Sequence, residues 1–352
     1  MSSSNTFKDL VRLNYIGSKL NLLEWIEECI LSYTKLSSLQ GVKIGDLFSG
    51  TGIVSYFFRT KNAITTSNDA ELYSYIITKS MSSVVYTQEI QDEIDKINME
   101  LKDKKHTNLN LIGNITKHYS PQGSRNFFTV DNAQRIDYIK ERIKDSPHFD
   151  FLMASLIVSA DNVSNVPAVY GCFLKNFKQK ALKELTLKPI HKNNSPPIQS
   201  PVVFNDDIVN IIDRLDCQVV YLDPPYNERQ YSKNYFPLNI IAKYDENIVL
   251  TGKTGIPTDC FVSSLCKKRE IKNAFENIFG KLAKNKNIKW VFMSYNNEGL
   301  LKKEEIEKII TEQSQNNKVS IEVKEREYKR FKSFSYNKDT EISEYLFCVS
   351  YQ

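Results

Sequence analysis

One short segment constrains this chain more than any other. Val219-Val220-Tyr221-Leu222 is an unbroken apolar run that passes directly into Asp223-Pro224-Pro225-Tyr226. Such a run suits a strand buried on both faces of a parallel sheet. The two prolines fix φ and remove two N–H donors, so the strand ends in a rigid corner offering only carbonyl oxygens. Asp223 adds carboxylate acceptors, and Tyr226 adds a flat ring with a polar tip. Stiff acceptors beside an aromatic platform suit an aromatic amine, whose two N–H hydrogens can be accepted while its ring stacks. The bland alternative is a proline-terminated edge strand with an incidental Asp and Tyr. Position counts against it, because ligands of open α/β sheets bind at the carboxyl ends of strands.

A second segment, Asp46-Leu47-Phe48-Ser49-Gly50-Thr51-Gly52, reads as a strand end followed by a sharp turn on two glycines. A turn of this kind lets backbone approach a ligand closely at a helix N-terminus. Asp69 closes the next strand, where a carboxylate can accept both hydroxyl hydrogens of a ribose. Together these features suggest a nucleoside-type cofactor. Alternatively, Gly50 and Gly52 make only a tight turn and Asp69 caps a helix. Ser55 stands where a dinucleotide fingerprint wants its third glycine, which counts against NAD. Gly252-Lys253-Thr254 is no phosphate loop, since Asn247 occupies the place of its first glycine.

The surrounding pattern alternates between strand and helix. Leu22, Leu23, Trp25, Ile26, Cys29 and Ile30 lie at helical spacing within Asn21 to Leu31. Val42 to Phe48 reads as a strand, about Ile53 to Arg59 as a helix, and a second strand ends at Asn68-Asp69. From about Gln91 the chain is highly charged. Thr107 to Arg125 then reads as a loop or hairpin between the runs Leu111 to Tyr119 and Asn126 to Val130. Helical patterns return at Arg135 to Ile143 and Phe151 to Val163. His191 to Pro201, with three prolines, reads as a linker. Strands are expected at Val202 to Phe204, Cys217 to Leu222, Lys289 to Ser294 and Tyr345 to Val349, with helices at Arg269 to Lys284 and Lys303 to Glu312. The expected architecture is an α/β domain of residues 1–90 and 200–352, interrupted by a mainly helical insert, 91–199.

A net charge of +5 is compatible with a polyanionic partner without establishing one. The start, Met1 to Arg12, has no apolar signal core, and the longest apolar stretch, Phe151 to Ala160, is half a membrane span. Six cysteines lie far apart with no C-x-x-C pair, and no histidine stands near them. Reduced thiols in a cytoplasmic protein are expected, with no metal.

These segments resemble, in order, the motifs of the Dam-like amino-methyltransferases, the adenine methylases of restriction–modification systems. The likeness runs through Asn14-Tyr15-Ile16-Gly17-Ser18-Lys19, Asp46 to Gly52, Asn68-Asp69 and Asp223 to Tyr226. It continues in Asn227 to Tyr231, Asn234-Tyr235, Ile241 to Tyr244 and Ser294 to Gly299. Val169-Tyr170-Gly171, Phe173-Leu174-Lys175 and Arg330-Phe331-Lys332-Ser333 also take part, so most of the chain is covered. Within the family the likeness is closest to methylases of the tetranucleotide CATG.

The resemblance implies a Rossmann-like sheet that binds S-adenosyl-L-methionine and carries an inserted DNA-recognition module. Tyr15 and Lys19 would meet the methionine end of that cofactor, with Lys19 near its carboxylate. Asp46, Phe48, Gly50 and Gly52 would line the same pocket, and Asp69 would hold the ribose. Phe204, with Asp206 or Asp207, would bracket the adenine. Asp223 and the Pro224 carbonyl would accept the target amine's hydrogens while Pro225 stiffens the corner and Tyr226 stacks on the base. An Asp at the head of the motif favours adenine over cytosine. The family usually has histidine where this chain has Phe236, two residues before Leu238, which bears on the packing behind the pocket.

The partner would be double-stranded DNA, with the target base flipped out, and a cognate restriction endonuclease could accompany a monomeric enzyme. Lys117, Arg125, Lys175, Tyr231, Arg330 and Lys332 are the side chains expected at the DNA, with Lys102, Lys104 and Lys105 as further candidates. Lys267-Lys268-Arg269 and Tyr328 to Lys332 could complete a backbone-binding face, although a solvated charged surface would look the same. The competing readings are a methyltransferase acting on RNA, cytosine or glutamine, a non-catalytic nucleic-acid-binding protein, and an NAD-dependent oxidoreductase. An intact Asp223–Tyr226 corner and Gly turn weigh against the second. Ser55 and the lack of an acid–base pair near the glycines weigh against the third.

Overall fold

The computed structural model describes residues 7, 10–103, 112–245, 247–314, 318–328 and 342–351. Helix α1 (Leu23–Thr34) leads to β1 (Lys43–Asp46), α2 (Ile53–Thr60), β2 (Ile64–Asn68) and α3 (Leu72–Ser83). Four helices follow before the next strand: α4 (Gln88–Lys102), α5 (Asn114–Tyr119), α6 (Val130–Ile143) and α7 (Phe149–Asn162). Then come β3 (Val202–Phe204), α8 (Ile208–Ile211), β4 (Val219–Leu222) and α9 (Tyr231–Ala242). After a two-stranded ribbon of β5 (Leu250–Thr251) and β6 (Ile256–Pro257), the chain continues through α10 (Ile271–Lys284), β7 (Trp290–Asn296) and α11 (Lys303–Gln313). It closes with β8 (Val319–Tyr328) and β9 (Ile342–Tyr351).

Seven strands form one sheet in the order β3-β2-β1-β4-β7-β9-β8. The five from β3 to β7 are parallel, while β9 and β8 pair antiparallel. The chain builds outward from β1 through β2 to β3, then returns to lay β4 and β7 on the other side of β1. That reversal leaves a crevice at the carboxyl ends of β1 and β4, the place where such sheets bind ligands. Register sets Asp46 against Tyr221, so the glycine turn after β1 and the diproline corner after β4 are neighbours. Every residue of β4 is buried, as a central parallel strand requires. One apolar core joins α1, α2, α3 and the helices α4–α7 on one face, and a second joins α8, α10 and α11 on the other. Among the described residues, no helix is long and apolar enough to cross a membrane.

Helices α3 and α9 and strand β8 were not expected from the sequence, and one expected loop is helical. Of the loop or hairpin expected over Thr107 to Arg125, residues 107–111 lie outside the described residues, and the rest holds α5 and a 3-10 turn at Pro121–Gly123. Its stabilising contacts come from far along the chain. Asp137 on α6 accepts the N–H groups of Ile115 (3.1 Å) and Thr116 (2.8 Å), satisfying the first turn of α5. A Cβ at Gly113 would fall 2.5 Å from that carboxylate, so the glycine is what lets the two meet. Charged residues 91–102 belong to α4, which buries Ile90, Ile94, Ile97 and Leu101 and is capped by Thr87.

The stretch His191–Pro201, expected as a linker, is irregular but anchored at its start. His191 is buried, and burial pushes its imidazole down to about 4, which keeps it neutral. Arg59 donates to the carbonyls of Met81 (2.6 Å), Val84 (2.9 Å) and Ser195 (2.7 Å), tying α2 to the end of α3 and to this segment. Arg59→Ala would strand buried carbonyls and should cost roughly 3 kcal/mol of stability in a denaturant melt.

Candidate active site

The crevice opens into a cavity of about 2010 Å³, well above the few hundred to a thousand or so usual for one small ligand. Tyr15, Lys19, Phe48, Gly50, Asp69, Asp206, Asp207, Asp223, Pro224, Pro225, Tyr226 and Tyr231 all line it. Elements separated by some 200 positions in sequence thus meet at one site.

The turn after β1 is built around its glycines. Gly50 and Gly52 have φ of +51° and +70°, conformations that cost an L side chain energy. The Gly50 N–H donates to Asp69 Oδ2 at 2.7 Å, and the Glu71 N–H donates to Asp69 Oδ1 at 2.9 Å. Asp69 therefore holds the turn and faces the cavity with its remaining lone pairs. Burial raises its carboxyl to about 6, opposed by those two backbone donors. A Cβ on Gly50 would lie 3.1 Å from the Tyr15 ring, which covers the turn. Tyr15 is itself stacked on Tyr235 (centroids 4.9 Å apart) and leans on Tyr231 at 5.5 Å. Gly52 does not line the cavity. It packs against α3, where an added Cβ would sit 3.0 Å from the Thr78 Cα. Gly52→Ala should displace the turn and weaken cofactor binding about tenfold or more, read by equilibrium dialysis.

Asp46 and Phe204 also lie outside the cavity lining. Asp46 is buried behind it, where its Oδ2 accepts the Ser55 hydroxyl at 2.6 Å and burial lifts the carboxyl to about 7. Its Oδ1 finds no partner among the described residues. Ser55 also meets Ser67 at 2.8 Å, so the residue that breaks the dinucleotide fingerprint links β1, α2 and β2. The Phe204 ring carries the Arg214 guanidinium at 4.5 Å. Asp207 caps α8 through the Val209 N–H, while Asp206 accepts from Asp207 and Asn210.

At the diproline corner, Asp223 Oδ1 accepts from Lys19 Nζ at 2.8 Å and from the Tyr226 hydroxyl at 2.7 Å. Glu344 Oε1 lies 3.3 Å from Lys19 Nζ and 2.8 Å from the Tyr226 oxygen, whose one proton serves either carboxylate. The Lys19 ammonium lies 4.9 Å from the centre of the Tyr226 ring. It thus points at the corner. Burial alone would lower the Lys19 pKa, but Asp223 and Glu344 outweigh it and raise it, so the side chain stays cationic. Burial raises Glu344 and holds the Tyr226 phenol well above its ordinary value. Glu344, on β9, is the residue that sequence reasoning missed. Its signal was a single carboxylate at the mouth of the apolar run Tyr345 to Val349. Phe236, in place of the family's histidine, is buried between Tyr119 and Phe127, each 5.7 Å away. The wall behind the pocket is therefore aromatic.

The expected DNA-facing side chains are scattered. Lys117 and Lys175 are exposed. Tyr231 lines the cavity, its hydroxyl 3.4 Å from the Ile16 carbonyl. Arg125 donates to the carbonyls of Lys253 (3.0 Å), His118 (3.2 Å) and Gly123 (3.4 Å), bracing the turn between β5 and β6. Lys104, Lys105, Arg330 and Lys332 lie outside the described residues. Among the described residues, no cluster of His, Cys, Asp or Glu could hold a metal ion.

Comparison with known proteins is consistent with this geometry. The family model described as D12 class N6 adenine-specific DNA methyltransferase matches residues 15–309. The chain is 36% identical to the type II methyltransferase M.CviAII of Paramecium bursaria Chlorella virus 1, covering 96% of this chain and 98% of that protein. It is 33% identical to the type II methyltransferase M.NlaIII of Neisseria lactamica, over 91% of this chain and 93% of that protein. It is also 33% identical to the type II methyltransferase M.FokI of Planomicrobium okeanokoites, of which it spans 52%.

Proposed function

The chain belongs to the D12 class of N6 adenine-specific DNA methyltransferases, and on that premise we propose that it methylates a flipped-out adenine in duplex DNA, using S-adenosyl-L-methionine held beside the diproline corner. The observation that carries this reading is the adjacency of the Gly50 turn, with Asp69 behind it, and the Asp223–Tyr226 corner in one cavity. The residues present fit the cofactor. Gly50 lines the cavity without a side chain, its backbone close under the Tyr15 ring, and Asp69 offers lone pairs where a ribose would lie. Tyr15, Phe48, Asp206 and Asp207 complete the wall. Asp46, Gly52 and Phe204 support that wall from behind.

When bound, the cofactor supplies a sulfonium methyl as electrophile. The protein's task is to make a poor nucleophile adequate, because the lone pair of the adenine amine is delocalised into its ring. Asp223 and the Pro224 carbonyl accept the two amine hydrogens, which favours a pyramidal nitrogen and localises that lone pair. Neither proline can donate a hydrogen bond or bend, so the acceptors are set before the base arrives. Tyr226 packs against the base, and proximity supplies much of the rate. Transfer of the methyl to N6 would leave a neutral thioether, and the proton that N6 then sheds would pass by way of the Asp223 carboxylate to solvent. A cavity of about 2010 Å³ has room for cofactor and base together, which is what a flipping enzyme needs.

The helices of residues 91–199 would form the target-recognition module, with Lys117, Lys175 and Tyr231 meeting DNA and Arg125 bracing the β5–β6 turn. Arg330 and Lys332, outside the described residues, would add phosphate contacts. The motif resemblance points to CATG as the target and to a cognate endonuclease as the physiological counterpart. Duplexes that contain CATG should take up labelled methyl groups from S-adenosyl-L-methionine, and duplexes with the same bases permuted should not. Equal uptake would remove CATG as the target.

A further inference from the structure

We propose that Glu344 is a positioning residue for methyl transfer, acting through Lys19 and Tyr226 to lock Asp223 so that its Oδ2 alone faces the target amine. This rests on the reading of Asp223 as the amine's acceptor. Asp223 Oδ1 already takes two hydrogen bonds, from Lys19 Nζ at 2.8 Å and the Tyr226 hydroxyl at 2.7 Å. A carboxylate oxygen has two lone-pair sites, so Oδ1 is filled when the single Tyr226 proton lies toward it. No donor among the described residues reaches Oδ2, and the Asp223 side chain keeps 19% of its surface toward the cavity. Oδ2 is therefore the free acceptor.

Neither donor would hold this arrangement by itself. The Lys19 stem carries four rotatable bonds, and the Tyr226 hydroxyl can rotate about its C–O bond. Lys19 Nζ donates to Glu344 Oε1 at 3.3 Å, and the Tyr226 oxygen stands 2.8 Å from the same atom, its one proton serving Glu344 or Asp223 in turn, so both heads are tied to one point on β9. Glu344 is itself fixed, opposite Asn296 of β7 and Arg326 of β8, with 7% of its surface exposed. The cluster holds two carboxylates and one ammonium, a formal charge of −1. That charge suits an amine nitrogen that becomes positive as it gains the methyl. Lys19 remains cationic because both carboxylates face it, despite its burial.

The test is steady-state methylation of genomic DNA by Glu344→Gln, with Asp223→Ala measured alongside. Gln keeps the size and one acceptor oxygen but loses the charge. We expect kcat to fall about tenfold to a hundredfold with little change in KM for the cofactor, the usual size of effect for a group that orients a reacting one. Lys19 loses one of its two stabilising charges, so the alkaline limb of the kcat profile should move to lower pH. Glu344→Asp, which keeps the charge, should recover part of the rate and restore the limb. Wild-type kcat and pH profile in Glu344→Gln would overturn the proposal. If that variant melts early, Lys19→Met is read instead: it must lose kcat and the alkaline limb together, and retention of either overturns the proposal. An active Asp223→Ala would instead sink the acceptor reading beneath it, whereas inactive Asp223→Ala with normal Glu344→Gln would sink this inference alone.

Discussion

Asp223→Ala should lower methyl transfer to DNA about a thousandfold while leaving the fold intact, the scale seen when one preorganised polar group is removed from a reaction centre. In the proposed mechanism the carboxylate sits where the nitrogen's charge develops, so its loss is felt mainly in the transition state. That predicts a fall in kcat with KM for the cofactor within about tenfold of wild type. The fold should tolerate the change, because Lys19 keeps Glu344 as its counter-ion at 3.3 Å and no buried cation is left unpaired. A melting curve close to wild type, with radiolabel incorporation near background, is the expected pair of results. Near-normal incorporation would remove the amine acceptor from the mechanism.

Asp69→Ala should fail at a different step. Two hydroxyl acceptors lost from a charged group correspond to roughly 3 kcal/mol, or a hundredfold in cofactor affinity, with further loss from the released Gly50 N–H. The pH dependence gives a second reading of the same residue. Burial lifts Asp69 to about 6, and only its ionised form accepts both hydroxyl hydrogens. Affinity should therefore be flat above about pH 7 and should fall as pH drops through 6, because protonation then competes with binding. Asp46 and Glu71 are each lifted to about 7 by burial and titrate nearby. The acid-side decline must consequently shrink in Asp69→Ala if Asp69 causes it. A variant that binds as wild type at pH 7.5 would place the ribose elsewhere.

The parts of this structure legible in the sequence were those whose signal is local. A run such as Val219–Leu222 is apolar throughout because the strand is buried on both sides, and its end is marked by two prolines that cannot continue a ladder. The turn after β1 announces itself through glycines whose positive φ few other residues accept. Strands β1, β2, β4 and β7 were readable for the same reason, and so was their α/β alternation. The helix α5 was not legible, because its N-terminal donors are satisfied by Asp137 from the following helix, and six residues carry too little periodicity to declare themselves. Helices α3 and α9 were hidden by serines, tyrosines and a proline, Pro237, whose helical state depends on tertiary packing.

The site divides along the same line. Asp223, Gly50 and Asp69 stand at strand ends and could be found by position. Glu344 could not be assigned, since its meaning depends on β9 lying beside β7, some fifty residues earlier, with Lys19 arriving from the opposite end of the chain. Lys19 was expected near the cofactor's carboxylate, yet its ammonium is engaged by two carboxylates at the corner. Motif order can place a lysine at a site but does not say which way its long side chain turns.

If this cavity transfers a methyl group to the exocyclic nitrogen of adenine in a DNA duplex, labelled methyl must end on that base. The direct measurement is to incubate the purified protein with radiolabelled S-adenosyl-L-methionine and genomic DNA, digest the DNA to nucleosides and separate them. All of the label should travel with N6-methyldeoxyadenosine. Label on a cytosine nucleoside, or in RNA but not in DNA, would contradict the account.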